Sequence, residues 1–211
     1  MVQTQPETSF LSPPPPTGAS QSGKTRFILR VIQHAAELIS PPVEKIIYFY
    51  KRWNDIFSSV QGVEFVEGYD ASKLSQSSLK GASTLVILDD LMTSIDSKEL
   101  VDLFIFRRHE SLNPVLVTHN LYYSGIKDMR TISLNTSINV CMRNMRDMSS
   151  IRTLGSQMFP NQLPYFLASF EIATREKWSY LLIDSSSHQS SAMRLRSKIF
   201  PDESQIVFLP V

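Results

Sequence analysis

The sequence has little cysteine and no excess of charge of either sign. Cys141 is the only cysteine among 211 residues, which excludes an internal disulfide and any zinc site built on several cysteines. Lysine and arginine number 21 against 20 aspartates and glutamates, a formal net charge of +1. This balance excludes a histone-like, polybasic protein, although it is compatible with a local basic patch.

Long hydrophobic runs are also missing. No apolar run approaches the ~20 residues that a membrane-spanning helix needs, and no charged start followed by an apolar segment indicates a signal peptide. Apolar residues nevertheless make up 42% of the chain, which is enough for a sizeable core. These features predict a soluble, intracellular, globular protein.

The chain divides into a short arm and one domain. Residues 1–16 have little hydrophobic pattern and end in four prolines, Pro13–Pro16, so we expect an irregular, proline-rich arm. In residues 17–211, short apolar segments alternate with helical patterns. We expect strands at 46–50, 63–66, 85–88, 114–118, 138–142 and 180–183, and helices at 25–39, 98–108, 149–158 and 162–175. This alternation is typical of an α/β domain whose mainly parallel central sheet carries helices on both faces.

The stretch GASQSGKT fits the pattern G-x-x-x-x-G-K-[ST] of the phosphate-binding P-loop. Glycines let such a loop turn tightly, so that successive backbone N–H groups point at a phosphate, and the following helix adds its N-terminal dipole. We expect Lys24 to reach the β- and γ-phosphates of ATP and the Thr25 hydroxyl to bind Mg²⁺. The predicted ATP-binding residues are Gly18, Ala19, Ser20, Gln21, Ser22, Gly23, Lys24 and Thr25.

One feature next to the P-loop is unusual. Pro13–Pro16 stand where a buried strand normally leads into such a loop. Proline cannot donate a hydrogen bond to a central strand. A first strand is therefore expected to be short, around residues 8–11, or distorted.

Polar residues follow two of the predicted strands. Asp89 and Asp90 come directly after the apolar run LVIL, as in a Walker B motif. There the first acid would hold Mg²⁺ through water and the second would polarise the attacking water. His119 and Asn120 follow the next strand, where a sensor of the γ-phosphate would lie. The alternative for His119 is that it only caps the following turn.

The order of GASQSGKT, LVILDDLM, VLVTHNLYYSGIKDMRTISLN and MRNMRDMSSIRTL resembles the FtsK–HerA class of P-loop ATPases. More narrowly, it resembles the DNA-packaging ATPases of Polinton/Maverick elements, adintoviruses and related double-stranded DNA viruses. The resemblance extends from Thr17 to the segments YLLID and RLRSKIFP near the end of the chain. It implies a RecA-like sheet, a ring of subunits and ATP hydrolysis coupled to translocation of double-stranded DNA. It is also compatible with a capsid-protein partner and a location in the host nucleus or the virion.

The resemblance also implies roles for individual residues. Lys24, Thr25 and Asp89 match the family pattern, whereas Asp90 stands where the family usually has Glu and His119 where it usually has Gln. The family completes its site with an arginine from the neighbouring subunit. The arginines in the matching region are Arg143 and Arg146. They would neutralise charge in the transition state; the alternative is a surface arginine that pairs with Asp147 or water.

Several basic residues are candidates for DNA contact, since copies in a ring would sum to a salt-dependent grip on phosphates. They are Arg107, Arg108, His109, Lys127, Arg130 and Arg152. A solvated helix end is the alternative explanation for the first three.

Two other functions stay open. The first is a P-loop protein that binds nucleotide but barely hydrolyses it, which the proline run, Asp90 and His119 favour. The second is a P-loop kinase; such kinases usually carry an arginine-rich lid, for which the segment RNMRDMSSIR could be mistaken. ATP hydrolysis that is stimulated by DNA would distinguish a motor from both of these alternatives.

Overall fold

The computed structural model of the chain describes residues 23–78, 83–107, 111–119, 122, 129–144, 147–186 and 190–210. Its helices are α1 (Lys24–Gln33), α2 (Ala35–Leu38), α3 (Ala71–Ser78), α4 (Ser97–Val101), α5 (Met129–Asn135), α6 (Met148–Met158) and α7 (Leu163–Ala173). A π-helical segment, Asp102–Phe106, continues α4, and short 3-10 helices lie at Asp55–Ser59 and Ser191–Met193. The strands are β1 (Lys45–Tyr50), β2 (Val63–Glu67), β3 (Thr84–Asp89), β4 (Leu112–Val117), β5 (Ile138–Met142), β6 (Tyr180–Asp184), β7 (Leu195–Ser197) and β8 (Ile206–Val207).

Four strands form an all-parallel sheet in the order β2-β1-β3-β4. Side chains of β3 alternate between the two faces, as they must in a strand. Leu85 and Ile87 pack into a core with Ile28 of α1, whereas Val86 and Leu88 pack into a second core together with residues of α3, α4 and α5. Helices therefore cover both faces of this sheet, which confirms that part of the prediction.

The remaining strands form a separate antiparallel sheet in the order β5-β6-β7-β8. Its core holds Leu181 and Ile183 of β6 against Phe166 and Phe170 of α7. The prediction of a mainly parallel sheet thus holds for β1 to β4 but not for these four strands. An apolar run predicts a buried strand but not its direction, because direction depends on which strand it pairs with.

Two predicted helices are interrupted. The helix expected over 25–39 ends at Gln33, where His34 leaves helical geometry, and α2 continues after it. The helix expected over 98–108 begins as α4, with the Asp96 side chain accepting a hydrogen bond of 2.7 Å from the backbone N–H of Lys98, and then becomes π-helical. No helix in the described part of the chain is long and apolar enough to cross a membrane. The predicted arm, residues 1–16, and the strand expected around 8–11 lie outside the described residues.

Candidate functional site

The candidate site lies where β3 and β4 end and α1 begins. The backbone N–H of Asp90 donates to the carbonyl of Val117 at 3.2 Å, which holds the carboxyl ends of the two strands together. Lys24 is the first residue of α1, and its Nζ lies 3.1 Å from Nδ1 of His119. Two acids, a lysine and a histidine from three separate elements thus meet at one edge of the parallel sheet. That edge is where open α/β sheets bind their ligands.

Asp89 and Lys24 form the partly buried half of the cluster. The Tyr48 hydroxyl donates to Oδ2 of Asp89 at 2.8 Å. Burial raises the pKa of the Asp89 carboxyl above its usual range, and the Tyr48 hydrogen bond opposes that rise only in part. Burial also lowers the pKa of the Lys24 ammonium, against the opposing effect of Asp89 and Asp90. Both groups are therefore shifted towards their neutral forms, and ligands of opposite charge would shift them back.

Asp90 and His119 form the exposed half. Their side chains are 56% and 50% exposed, and Nε2 of His119 lies 3.9 Å from Oδ1 of Asp90. Asp90 has a φ of 56°, a left-handed conformation that is uncommon outside glycine. His119 thus lies between Lys24 and Asp90, within reach of solvent.

The residues predicted to bind Mg²⁺ have suitable chemistry. The Thr25 hydroxyl and the Asp89 carboxylate are hard oxygen donors, which Mg²⁺ prefers, and this ion usually completes its shell with water and substrate phosphates. Thr25 follows Lys24 in the first turn of α1. Lys24 is close enough to Asp89 for the carboxylate charge to raise the pKa of the lysine. The donor set therefore fits a magnesium ion that shares its shell with phosphate oxygens. Within the described ranges, no group of three or more His, Cys, Asp or Glu residues is placed to hold a metal.

A cavity of about 2130 Å³ opens beside this cluster, between β4 and β5. Lys24, Asp90, His119 and Arg143 line it, and Arg143 directly follows β5. Arg143 also lines a smaller pocket of about 620 Å³, together with Arg152 of α6. Arg143 thus borders the cavity of its own chain, and the intersubunit role that the resemblance implies stays a prediction.

Some predicted site residues are not described. Gly18–Ser22, Asn120 and Arg146 lie outside the described residues, so their predicted roles stay predictions. Among the candidates for DNA contact, the same holds for Arg108, His109 and Lys127. The others lie on separate elements: Arg107 follows the π-helical segment, Arg130 belongs to α5 and Arg152 is exposed on α6.

The alternatives for the Arg143–Arg152 segment can be compared with the structure. Asp147 accepts hydrogen bonds from the backbone N–H of Ser150 at 3.3 Å and from its hydroxyl at 2.6 Å, so its carboxylate caps α6. Ile151 and Leu154 of that helix are buried in the core that contains α7. The helical part of the segment is therefore packed into the core of the domain.

Two residues of the site were missed by sequence reasoning. Tyr48 is fully buried in the core that contains Ile28, and its hydroxyl also contacts Asp89. The only sequence signal was a tyrosine hydroxyl within a largely apolar strand, and Tyr50 of the same strand gives the same signal. Trp178, which precedes β6, packs against Gly23 at the start of α1. No local pattern could have revealed this contact between two distant parts of the chain.

Comparisons with known proteins add no relative. No protein-family model, curated protein or solved structure matches the chain.

Proposed function

We propose that this chain is a Mg²⁺-dependent P-loop ATPase of RecA-like fold that acts as a subunit of a DNA-translocating motor. The observation that carries the proposal is the meeting of Lys24, Asp89, Asp90 and His119 at the carboxyl edge of the parallel sheet. The sequence GASQSGKT runs into this point, because its lysine and threonine open α1. Lysine, paired acids and a polar sensor are the groups that phosphoryl transfer from a nucleoside triphosphate requires.

Each side chain has a role that follows from its position. Phosphates at the start of α1 would meet the helix dipole and draw the Lys24 ammonium away from His119. Asp89 and Thr25 would hold Mg²⁺, which neutralises charge on the phosphate oxygens. Asp90 is exposed and directly follows β3, so its carboxylate would orient the water that attacks the γ-phosphorus as the bond to the β-phosphate oxygen breaks. His119 would donate to a γ-phosphate oxygen.

A second candidate is a protein that binds nucleotide but hydrolyses it slowly. One observation favours it: Nδ1 of His119 lies 3.1 Å from Nζ of Lys24 and its Nε2 lies 3.9 Å from Oδ1 of Asp90, so His119 can pair with the lysine and the acid that the reaction would use. Asp90 is also one methylene shorter than the glutamate usual at this position in the family. Turnover separates this candidate from the motor, and binding alone does not.

The coupling to DNA and the ring of subunits follow from the resemblance. The test is steady-state hydrolysis of ATP at low salt, with and without double-stranded DNA. We expect turnover that rises with DNA and falls when salt is added, because phosphate contacts release counterions. Nucleotide binding without turnover would favour the second candidate, and turnover that ignores DNA would count against a motor.

Variants at the site sharpen this test. Lys24→Ala is expected to abolish tight binding of ATP, whereas Lys73→Ala, a matched change at a lysine of α3 that pairs with Glu64 at 2.9 Å, should leave it unchanged. Asp90→Asn should lower turnover far more than binding. Unchanged affinity in Lys24→Ala would refute the P-loop assignment, and equal losses of binding and turnover in Asp90→Asn would make Asp90 structural.

A further inference from the structure

Trp178 is an exposed tryptophan held in an unusual position at the start of α1. It lies in the turn between α7 and β6, has a φ of 66° and is 45% exposed. Its side chain packs so closely on Gly23 that a Cβ added there would lie 3.0 Å from Cβ and Cδ1 of the tryptophan. A left-handed conformation costs a bulky residue free energy, and close packing on Gly23 keeps the indole at this place.

Two cations surround the indole. The guanidinium carbon of Arg26 lies 4.6 Å from the ring centroid, and the ammonium of Lys177 lies 4.5 Å from it. Both side chains are exposed. The indole therefore combines an aromatic face with local positive charge, a combination that suits a ligand containing both an aromatic ring and phosphates.

The geometry of α1 relates this surface to the candidate site. Trp178 contacts both Gly23, the N-cap of α1, and Arg26 in the first turn of that helix. Lys24 and Arg26 are two residues apart, about 200° around the helix axis. Lys24 contacts His119 at the end of β4, so a triphosphate lying across the helix start with its γ-phosphate at Lys24 would direct its nucleoside towards Arg26 and Trp178.

We propose that Trp178 is the base-binding residue of the site, with its indole stacking on the purine base of a nucleoside triphosphate and Arg26 adding charge near the α-phosphate. This inference rests on the proposed nucleotide site and names the part of it that recognises the base. The base would replace one of the two cations on the ring. The displaced cation stays close enough to interact with the phosphates.

The test separates base recognition from phosphate recognition. Affinities for Mg²⁺-ATP and for Mg²⁺ with inorganic triphosphate, which has no base, are measured by calorimetry on the full chain. Trp178→Ala should weaken ATP binding at least about fivefold, the lower end of what one stacked base contributes, and leave triphosphate binding unchanged. Trp178→Phe should restore most of the ATP affinity, since it keeps an aromatic face.

A spectroscopic readout needs one further change. The chain has two tryptophans, so Trp53→Phe leaves Trp178 as the only one. We expect ATP to quench its fluorescence and inorganic triphosphate to leave it nearly unchanged. Equal losses of both affinities in Trp178→Ala would mean that the residue only supports the helix start and would overturn the inference, as would unchanged ATP affinity. A wild-type chain that binds neither ligand would instead overturn the proposed nucleotide site itself, and this inference with it.

Discussion

Replacing Gly23 by alanine tests how α1 and Trp178 hold the site together. Gly23 has a φ of 90°, where an L-residue is strained by about 1–2 kcal/mol. The new Cβ would also lie 3.0 Å from two side-chain atoms of Trp178 and 3.2 Å from its Cα, so the backbone before β6 must move as well as the indole. Crowding of this kind costs about 1–3 kcal/mol. We therefore expect Gly23→Ala to lower the free energy of unfolding by about 2–5 kcal/mol in all.

Gly62→Ala is the matched control. Gly62 also has a positive φ, 75°, but a Cβ there would meet nothing within 4 Å. It should lose only the strain of about 1–2 kcal/mol. The difference between the two variants in urea unfolding without nucleotide then measures the contact with Trp178 alone.

A double variant tests the same contact with part of the Trp178 side chain removed. In a Trp178→Ala background the contact with Cδ1 is removed, while those with Cβ and Cα of residue 178 remain, so Gly23→Ala should cost less than in the wild-type chain but more than Gly62→Ala does. If Gly23→Ala proves as mild as Gly62→Ala in the wild-type background, the close packing of Trp178 on the helix start is wrong. The placement of the proposed base-binding residue would be wrong with it.

Two further predictions concern packing and charge. Gly155→Ala should cost about 1–3 kcal/mol of unfolding free energy, because its Cβ would lie 2.7 Å from Cε1 of Phe166; an equal effect in the exposed neighbour Ser156→Ala would contradict this. Asp89→Asn should raise the unfolding free energy of the nucleotide-free chain near neutral pH, because burial raises the pKa of this carboxyl and the folded chain ionises it at a cost. The cost of ionising Asp89 in the fold grows as pH rises from the ordinary pKa through the raised one, so the stability gained by Asp89→Asn should vanish in acid, where the folded and unfolded states both hold the proton. Denaturant titrations at low and neutral pH check this. A lower unfolding free energy of Asp89→Asn at neutral pH would refute it.

Local patterns predicted the central part of the fold well. The run LVIL between polar residues predicted a strand at 85–88, and β3 spans Thr84–Asp89. Lys24, the acids at the end of β3 and His119 after β4 were each predicted to act at a bound nucleotide, and they lie close together. Apolar runs are visible in a single sequence, and the carboxyl ends of parallel strands lie at one edge of a sheet, so these features could be predicted.

What the sequence could not predict depends on contacts between distant segments. The antiparallel direction of β6 follows from its pairing with β5 and β7. The strands β7 and β8 are three and two residues long, too short to leave a pattern. The hydrogen bond from Tyr48 to Asp89 forms because β1 pairs with β3, and neither residue type alone predicts that pairing.

The opposite shifts of Lys24 and Asp89 connect stability with the proposed function. Burial favours the neutral form of each group. Keeping either side chain charged in the folded chain therefore costs free energy. A phosphate group beside Lys24 and a magnesium ion beside Asp89 would each restore the charged form, and each would add part of its binding free energy to the stability of the folded chain. The change from Asp89 to asparagine removes the unfavourable carboxylate and the metal ligand together. If Asp89→Asn is more stable than the wild type without nucleotide and gains no stability from Mg²⁺-ATP, then Asp89 favours ligand binding and lowers the stability of the chain when no ligand is bound.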